Sequence, residues 1–157
     1  MPLVWRLSRP QYAAQLDGKG NRLRGARWNS PGHGVVYTSF NLSLAVLESL
    51  AQLAPPMRAR LPVMTAVRIE IPDEAAREEI TRDQLEGLAD EQAVLRCRQI
   101  GDAWLRTGKS LSLDVPSVIV PQERNMLLNP AHALMDRVKI VSTEPFHFDS
   151  RLASPPA

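Results

Sequence analysis

The residues with the clearest chemical potential lie in the stretch RLRGARWNSPG, residues 22–32, which combines three arginines with two glycines. A guanidinium is a planar fork of donors that can bind two phosphate oxygens at once, and glycine lets a backbone approach a ligand closely. Arg27 here, with Arg6 in the earlier segment VWRL, suits a pyrophosphate ligand. An exposed loop with ordinary surface arginines fits the same composition, and the spacing matches neither a Walker loop nor a dinucleotide fingerprint.

Two further polar side chains interrupt apolar segments. Glu48 lies at the border of the apolar face of a predicted helix, about 40° beyond Leu44 on the helical wheel. A carboxylate near a core is costly unless it is paired, so Glu48 needs an arginine or a ligand hydroxyl, unless its head group simply reaches water. Ser117 follows Pro116 in an apolar strand without a G-x-S-x-G motif, and a hydrogen bond to a neighbouring backbone group is its simplest role.

Aromatic and amide side chains near these positions add candidate ligand contacts. Trp28 and Tyr37 could stack on a flat ring, although aromatic residues at strand positions more often pack in a core. Asn125 and Asn129, in the segment ERNMLLNPAH, are expected to cap turns, and Asn125 is also a candidate polar contact for a ligand.

Metal chemistry is not expected from the sequence. One cysteine, Cys97, and three histidines lack the spacing of zinc motifs; the histidines are His33, His132 and His147. A single cysteine also excludes an internal disulfide and fits a reducing compartment. No two histidines are close enough in sequence to indicate an acid–base pair.

The elements that must position these residues follow from hydrophobic patterning. Strands are predicted at PLVWRL, GVVYT, VMTAVRIEI, SLDVPSVIVP with an interruption at Pro116, VKIVS and FHF. A helix capped by Asn41 is predicted from Leu42 to about Ala54, where Pro55-Pro56 should stop it. A capping box at Thr81 predicts a short helix.

A second long helix is predicted from about Asp90 to Thr107, with Gly108 as its stop. Its apolar face contains Ala93, Cys97, Ile100 and Trp104. Strands and helices do not alternate regularly, which favours an α+β fold with mixed or antiparallel sheets and flanking helices.

Length and composition predict one ordinary globular domain over residues 1–152, followed by a flexible tail at 153–157. Apolar residues make up 44% and charged residues 23% of the 157 residues, and a net charge of +2 is too small to indicate nucleic-acid binding. The start MPLVWRLSRP lacks the features of an export signal, and no apolar run is long enough to span a bilayer. We expect a cytoplasmic protein that binds no membrane.

Several of these segments together resemble the RES-domain family, the toxin half of RES-Xre toxin–antitoxin modules. The resemblance extends almost from end to end through VWRL, GARWNSPGHGVVYTSFNLSLAVLESL, IGDAWLRTGKSLSLDVPSVIVPQERNMLLNPAH and FHFDSRL. The arginine, glutamate and serine that give the family its name correspond to Arg27, Glu48 and Ser117.

This resemblance implies a compact fold similar to ADP-ribosyltransferases, with NAD+ as substrate and no metal. It assigns catalytic roles to Arg27, Glu48 and Ser117. Candidate NAD+ contacts are Arg6, Arg27, Trp28, Tyr37 and Asn125. In a ParT-like branch of the family the ADP-ribose is transferred to phosphoribosyl pyrophosphate synthetase, whereas other members degrade NAD+ by hydrolysis or phosphorolysis. The implied partner is an Xre-type helix-turn-helix antitoxin that covers the active site.

Two other functional classes are compatible with the sequence, a ribonuclease and a nucleotide-binding module. A ribonuclease toxin would need paired histidines and stacking aromatics, and only 5% of the residues are aromatic. A binding module without catalysis would use the arginine stretch to hold a nucleotide.

Overall fold

A single mixed sheet organises the fold in the computed structural model, which describes residues 1–155. Its seven strands, in chain order, are β1 (Leu3–Ser8), β2 (Val36–Ser39), β3 (Met64–Glu70), β4 (Arg77–Glu79), β5 (Ser112–Pro116), β6 (Arg124–Leu128) and β7 (Lys139–Phe146). The spatial order is β4-β5-β6-β2-β1-β3-β7. The pair β4–β5 is parallel and the other pairs are antiparallel.

The strand register determines which side chains share a face of the sheet. Trp5 lies opposite Ser39, Ser39 opposite Asn125, and Asn125 opposite Val115. Directly opposed residues project to the same side, and successive residues of one strand project to opposite sides. These four side chains therefore share one face, whereas Arg6 projects to the other.

Four α-helices flank the sheet in the described part of the chain. They are α1 (Lys19–Arg24), α2 (Leu42–Gln52), α3 (Pro55–Ala59) and α4 (Asp90–Thr107), and short 3-10 helices lie at Pro10–Tyr12, Arg82–Leu85, Ala133–Arg137 and Ser150–Leu152. The Asn41 side chain caps α2 by accepting the Leu44 N–H at 2.8 Å. Gly108 ends α4 with φ +59°, a left-handed conformation that suits glycine. No helix in residues 1–155 is long and apolar enough to cross a membrane.

A hydrophobic core lies on each side of the sheet. The first core, on the Arg6 side, includes Val4, Val36, Val67, Ile69, Met126 and Leu128. The second core, on the Asn125 side, includes Trp28, Val35, Cys97, Trp104, Leu113, Val115 and Leu127. Because Cys97 and Trp104 belong to α4, the second core joins that helix to the sheet.

The predicted α+β class is confirmed, and so are the Asn41 cap, the capping box at Thr81 and the extent of α4. Helix α2 ends at Gln52, close to its predicted end at about Ala54, and Pro55-Pro56 open a separate helix, α3, where their missing N–H groups need no partner. No strand was predicted over residues 124–128, where β6 forms and places Met126, Leu127 and Leu128 in the two cores. Of the two expected turn caps, Asn129 accepts the Ala131 N–H at 3.0 Å, whereas Asn125 lies within β6.

Two strands predicted in the C-terminal half of the chain also differ from the strands in the structure. The strand expected over SLDVPSVIVP ends at Pro116, because the backbone after Ser117 turns to bond that serine's own hydroxyl. FHF is not a separate strand, since Phe146 ends β7 and its ring packs edge-on against Phe148 at 5.3 Å. Of the predicted tail, Ser154 donates its N–H to Arg58 O at 2.9 Å, and residues 156–157 lie outside the described range.

Candidate active site

Glu48 is the centre of a polar cluster on the Asn125 side of the sheet. It projects from α2, and its Oε1 accepts a hydrogen bond from Ser117 Oγ at 2.7 Å and another from Asn125 Nδ2 at 2.8 Å. Helix α2, the end of β5 and the start of β6 therefore meet at one carboxylate oxygen. The Glu48 side chain is half-buried, so part of it is exposed to solvent.

The direction of the Ser117 hydrogen bond is determined by the chain that follows it. Ser117 Oγ accepts the backbone N–H of Ile119 at 3.1 Å and that of Val120 at 3.0 Å. A hydroxyl has one hydrogen, and the two acceptor positions are occupied, so this hydrogen points to Glu48. Ser117 is 2% exposed, and its contacts tie the turn at 117–120 directly to the carboxylate.

Asn125 contacts Glu48 through the NH2 group of its side-chain amide. Its Oδ1 accepts from Ser39 Oγ at 2.6 Å, which leaves the NH2 group facing Glu48. Ser39 was not among the site residues predicted from the sequence. A signal was present, because Ser39 follows Tyr37 at the two-residue period of strand β2 and therefore shares its face.

The second oxygen of Glu48 has no partner within residues 1–155. Among residues 1–155 no donor forms a hydrogen bond or ion pair with Oε2. The carboxylate is thus held through one oxygen and presents the other. Such a group can accept a hydrogen bond from a ligand hydroxyl or stabilise positive charge that develops on a ligand.

Arg27 lies in a loop that is anchored to α4 rather than free in solvent. Arg98 Nε donates to Ala26 O at 3.1 Å, and the Asp102 carboxylate accepts from Ser30 N at 2.9 Å and from Ser30 Oγ at 2.6 Å. Burial raises the pKa of the Cys97 thiol, and the neighbouring Arg27 guanidinium acts in the opposite direction. Within the described residues Arg27 forms no ion pair with Glu48.

Tyr37 fastens the same loop to strand β2. Its hydroxyl donates to Asn29 Oδ1 at 2.7 Å and accepts the Trp28 N–H at 3.1 Å. Burial raises the pKa of Tyr37 well above its ordinary value, so the phenol is neutral at physiological pH. Trp28 itself is 3% exposed and belongs to the second core.

Arg6 has contacts of a different kind. Its guanidinium donates to Gln15 O at 2.7 Å and to Tyr12 O at 3.3 Å, on the opposite face of the sheet from Asn125. Burial lowers the pKa of Arg6, and the charge of Asp17 partly opposes that shift. The structure therefore joins Glu48, Ser117 and Asn125 directly, places Arg27 and Tyr37 over the same face, and separates Arg6 from them.

Two open clefts lie apart from the Glu48 cluster. One, of about 630 Å³, is lined by residues of the first core's edge, including Leu16, His132 and Met135. The other, of about 450 Å³, lies beside Phe40, Arg77 and Asp114. Within residues 1–155 no three histidine, cysteine or carboxylate side chains form a group that could hold a metal ion.

Comparison with known proteins gives consistent matches over more than nine-tenths of the chain. The RES domain model matches residues 3–149. A relative from Sphingobium sp. (strain YBL2), named "Prs ADP-ribosylating toxin", is 34% identical and covers 94% of each chain. A relative from Yersinia enterocolitica serotype O:8 / biotype 1B, named "Toxin Res", is 33% identical and covers 96% of this chain and 99% of that protein.

A solved structure shares the fold. A chain of the M. tuberculosis MbcT-MbcA toxin–antitoxin complex superposes with a TM-score of 0.72, covering 92% of this chain and 83% of that chain. The identity is 16%, so this likeness concerns the fold alone.

Proposed function

Since this chain belongs to the RES domain family, we propose that it is the toxin of a toxin–antitoxin pair and that it cleaves NAD+ between nicotinamide and ribose. We further propose that the ADP-ribose is transferred to a protein acceptor, phosphoribosyl pyrophosphate synthetase, in the cytoplasm. The name of the Sphingobium relative, which describes an ADP-ribosylating toxin, supports transfer to a protein.

The chemistry of NAD+ defines what the site must supply. The ring nitrogen of nicotinamide is cationic in NAD+, so the leaving group departs neutral and needs no general acid. As the bond breaks, positive charge develops on the ribose, as in the oxocarbenium-like transition state of glycoside hydrolysis. A fixed negative charge near the ribose stabilises this state more than it stabilises bound NAD+.

The proposal depends on one observation, which is that the two carboxylate oxygens of Glu48 differ in their hydrogen-bond partners. Oε1 is occupied by Ser117 and Asn125, while Oε2 has no partner among residues 1–155. In the proposed mechanism Oε2 accepts a hydrogen bond from a ribose hydroxyl and faces the developing charge. A preorganised contribution of this kind is worth ~3 kcal/mol.

The other residues of the proposed site bind and orient NAD+. Arg27 binds the pyrophosphate, and its loop is held in place by Arg98 and Asp102. Tyr37 offers its ring to nicotinamide, while Ser117 and Asn125 orient Glu48. The NAD+ contacts of Arg6 and Trp28 stay predictions, since their described contacts are to the protein itself.

The partner and the acceptor need separate support. We propose that an Xre-type helix-turn-helix antitoxin covers the Glu48 cluster, because an enzyme that consumes NAD+ must be inhibited in its own host. The alternative acceptors are water and phosphate, which would make the protein a glycohydrolase or phosphorylase that depletes NAD+.

A Glu48→Gln substitution tests the proposed activity. It keeps the shape of the side chain and removes its charge, so we expect nicotinamide release to fall on the order of 100-fold with the fold intact. Glu144→Gln, which removes an exposed carboxylate from the edge strand β7, is the matched control and should retain wild-type turnover. Unimpaired release by Glu48→Gln would refute the assignment.

The fate of the ADP-ribose is tested with NAD+ labelled in its adenylate half. Incubation with purified phosphoribosyl pyrophosphate synthetase should yield a labelled protein band. Free ADP-ribose as the main product would identify a glycohydrolase, and its phosphate ester a phosphorylase. The Glu48→Gln protein should form any of these products on the order of 100-fold more slowly.

A further inference from the structure

The hydroxyl of Ser39 is a buried polar group that the mechanism above does not use. Ser39 is 4% exposed, and its Oγ donates to Asn125 Oδ1 at 2.6 Å. The two residues lie directly opposite each other on β2 and β6, so their Cβ atoms are held close together by the sheet. Because Ser39 is enclosed by protein, it cannot itself contact a ligand at Glu48.

Ser39 and Glu48 bind opposite ends of the same amide. Ser39 holds the carbonyl end of Asn125, and the NH2 end donates to Glu48 Oε1 at 2.8 Å. Rotation of the amide by half a turn would place Oδ1 against the carboxylate, where two acceptors repel. Glu48 therefore selects the orientation, and the Ser39 hydroxyl supplies the donor that keeps the amide there.

The Ser39 hydrogen bond also affects Oε2 of Glu48, the oxygen that faces the substrate in the proposed mechanism. Linked hydrogen bonds polarise one another, so a donor on Oδ1 makes the NH2 group of Asn125 a better donor to Glu48. Two donors on Oε1 also limit rotation of the carboxylate, which determines the direction in which Oε2 projects. Without Ser39, Asn125 would keep its volume but lose the bond that fixes its amide.

We propose that Ser39 is a positioning residue of the NAD+ site, which acts through the Asn125 amide to hold the Glu48 carboxylate with Oε2 directed at the substrate. This inference rests on the proposed NAD+ cleavage for its kinetic consequences. Its structural part, the anchored amide of Asn125, does not depend on that activity.

Kinetics of nicotinamide release provide the first test. Ser39→Ala should lower kcat about 3- to 10-fold, as expected for one lost hydrogen bond, with KM changed less than 2-fold. Ser39→Thr keeps the hydroxyl and should recover most of this loss. The double variant Ser39→Ala/Asn125→Ala should be no slower than Asn125→Ala alone, because both substitutions break the same chain.

Thr38→Val is the matched control. Thr38 precedes Ser39 on β2 and projects to the other face, and its Oγ1 donates to Met126 O at 2.7 Å. Its substitution removes a buried hydroxyl hydrogen bond of the same strand and should lower stability without lowering kcat. Equal effects of Thr38→Val and Ser39→Ala on kcat, or multiplied losses in the double variant, would overturn the proposal.

An NMR measurement separates this proposal from the proposed function. In 15N-labelled protein the Asn125 side-chain amide is identified by its loss in Asn125→Ala, and its protons should exchange slowly with solvent. Ser39→Ala should accelerate that exchange and shift the signal, whereas Thr38→Val should not. An unchanged Asn125 signal in Ser39→Ala would contradict the anchoring role of Ser39, whether or not the protein cleaves NAD+. A wild-type protein that leaves NAD+ intact would instead contradict the proposed activity and leave the anchoring role standing.

Discussion

At the scale of single residues, the candidate site is a short series of hydrogen bonds with a defined direction. Backbone N–H groups at Ile119 and Val120 donate to Ser117, and Ser117 donates to Glu48. From the sequence, Glu48 was predicted to need an arginine or a ligand hydroxyl, unless its head group reached water. Its protein partners are instead a hydroxyl and an amide, which hold a carboxylate without neutralising its charge.

The titration of Tyr37 is a prediction at this scale. The protein contains two tyrosines, so Tyr12→Phe leaves Tyr37 as the only phenol. Because burial raises the pKa of Tyr37, we expect no tyrosinate absorbance in the folded variant at pH values near 10, the ordinary value.

The same shift has a consequence for stability. Above the pKa of an unfolded tyrosine the unfolded chain loses a proton that the folded chain keeps, so the free energy of unfolding should fall as pH rises beyond about 10. The control is the same variant in denaturant, where the absorbance should rise near pH 10. Ionisation at that pH in the folded protein would contradict the buried hydrogen bonds of Tyr37.

At the scale of elements, α4 is the support on which the Arg27 loop is built. Trp28 inserts beside Cys97 and Trp104 in the second core, and Gly101 allows the loop backbone to pass directly over the helix. A Cβ at position 101 would overlap the carbonyl oxygen of Trp28. The loop is therefore positioned by contact with a rigid helix, which is what a phosphate-binding arginine requires.

A Gly101→Ala substitution tests this support. Alanine favours a helix over glycine by about 1 kcal/mol, but here its methyl group must displace the loop or the helix. We expect the free energy of unfolding to fall by about 1–3 kcal/mol. Since Trp28 adjoins Arg27, KM for NAD+ should rise as well, measured by nicotinamide release at temperatures where the variant is folded.

Gly20→Ala is the matched control for that experiment. Gly20 lies within α1, and a Cβ there would meet no atom within 4 Å. It should leave KM unchanged and should not lower stability, since alanine's helix preference adds up to about 1 kcal/mol there. A Gly101→Ala protein that behaves like Gly20→Ala would show that the close approach of loop and helix is unimportant.

Local patterns explain which elements were predictable. Helix α4 was predicted from its apolar period and its glycine stop, and α2 from its asparagine cap. Strand β6 was missed because Met126, Leu127 and Leu128 form a continuous apolar run, which has no alternation when both faces of a sheet are buried. The strand period could place Ser39 on the face of Tyr37 but could not predict its hydrogen bond to Asn125, because that bond depends on the pairing of strands that bring together residues 86 positions apart.

At the scale of the whole molecule, both cores depend on the same central strands. Strand β6 contributes Met126 and Leu128 to the first core and Leu127 to the second. The spatial order of the strands, in which β6 lies between β5 and β2, brings Ser117 and Asn125 to the end of the sheet near α2. Sequence patterns predicted strands but not this order, because pairing over long separations is determined by the packing of the entire chain.

The shared strands predict a single cooperative unfolding transition. Leu127 and Leu128 are both fully buried neighbours that project into different cores, so Leu127→Ala and Leu128→Ala each leave a cavity on one side of one sheet. We expect each to lower the free energy of unfolding by about 2–5 kcal/mol. Far-UV circular dichroism, which reports on all elements, should then give the same midpoint as tryptophan fluorescence, which reports on Trp28 and Trp104 in the second core and on Trp5 on the same face of the sheet. Leu95→Ala, on an exposed position of α4, is the control and should shift neither midpoint. If Leu128→Ala moved the circular dichroism midpoint and left the fluorescence midpoint in place, the two cores would unfold separately, and the one-domain prediction for residues 1–152 would be wrong.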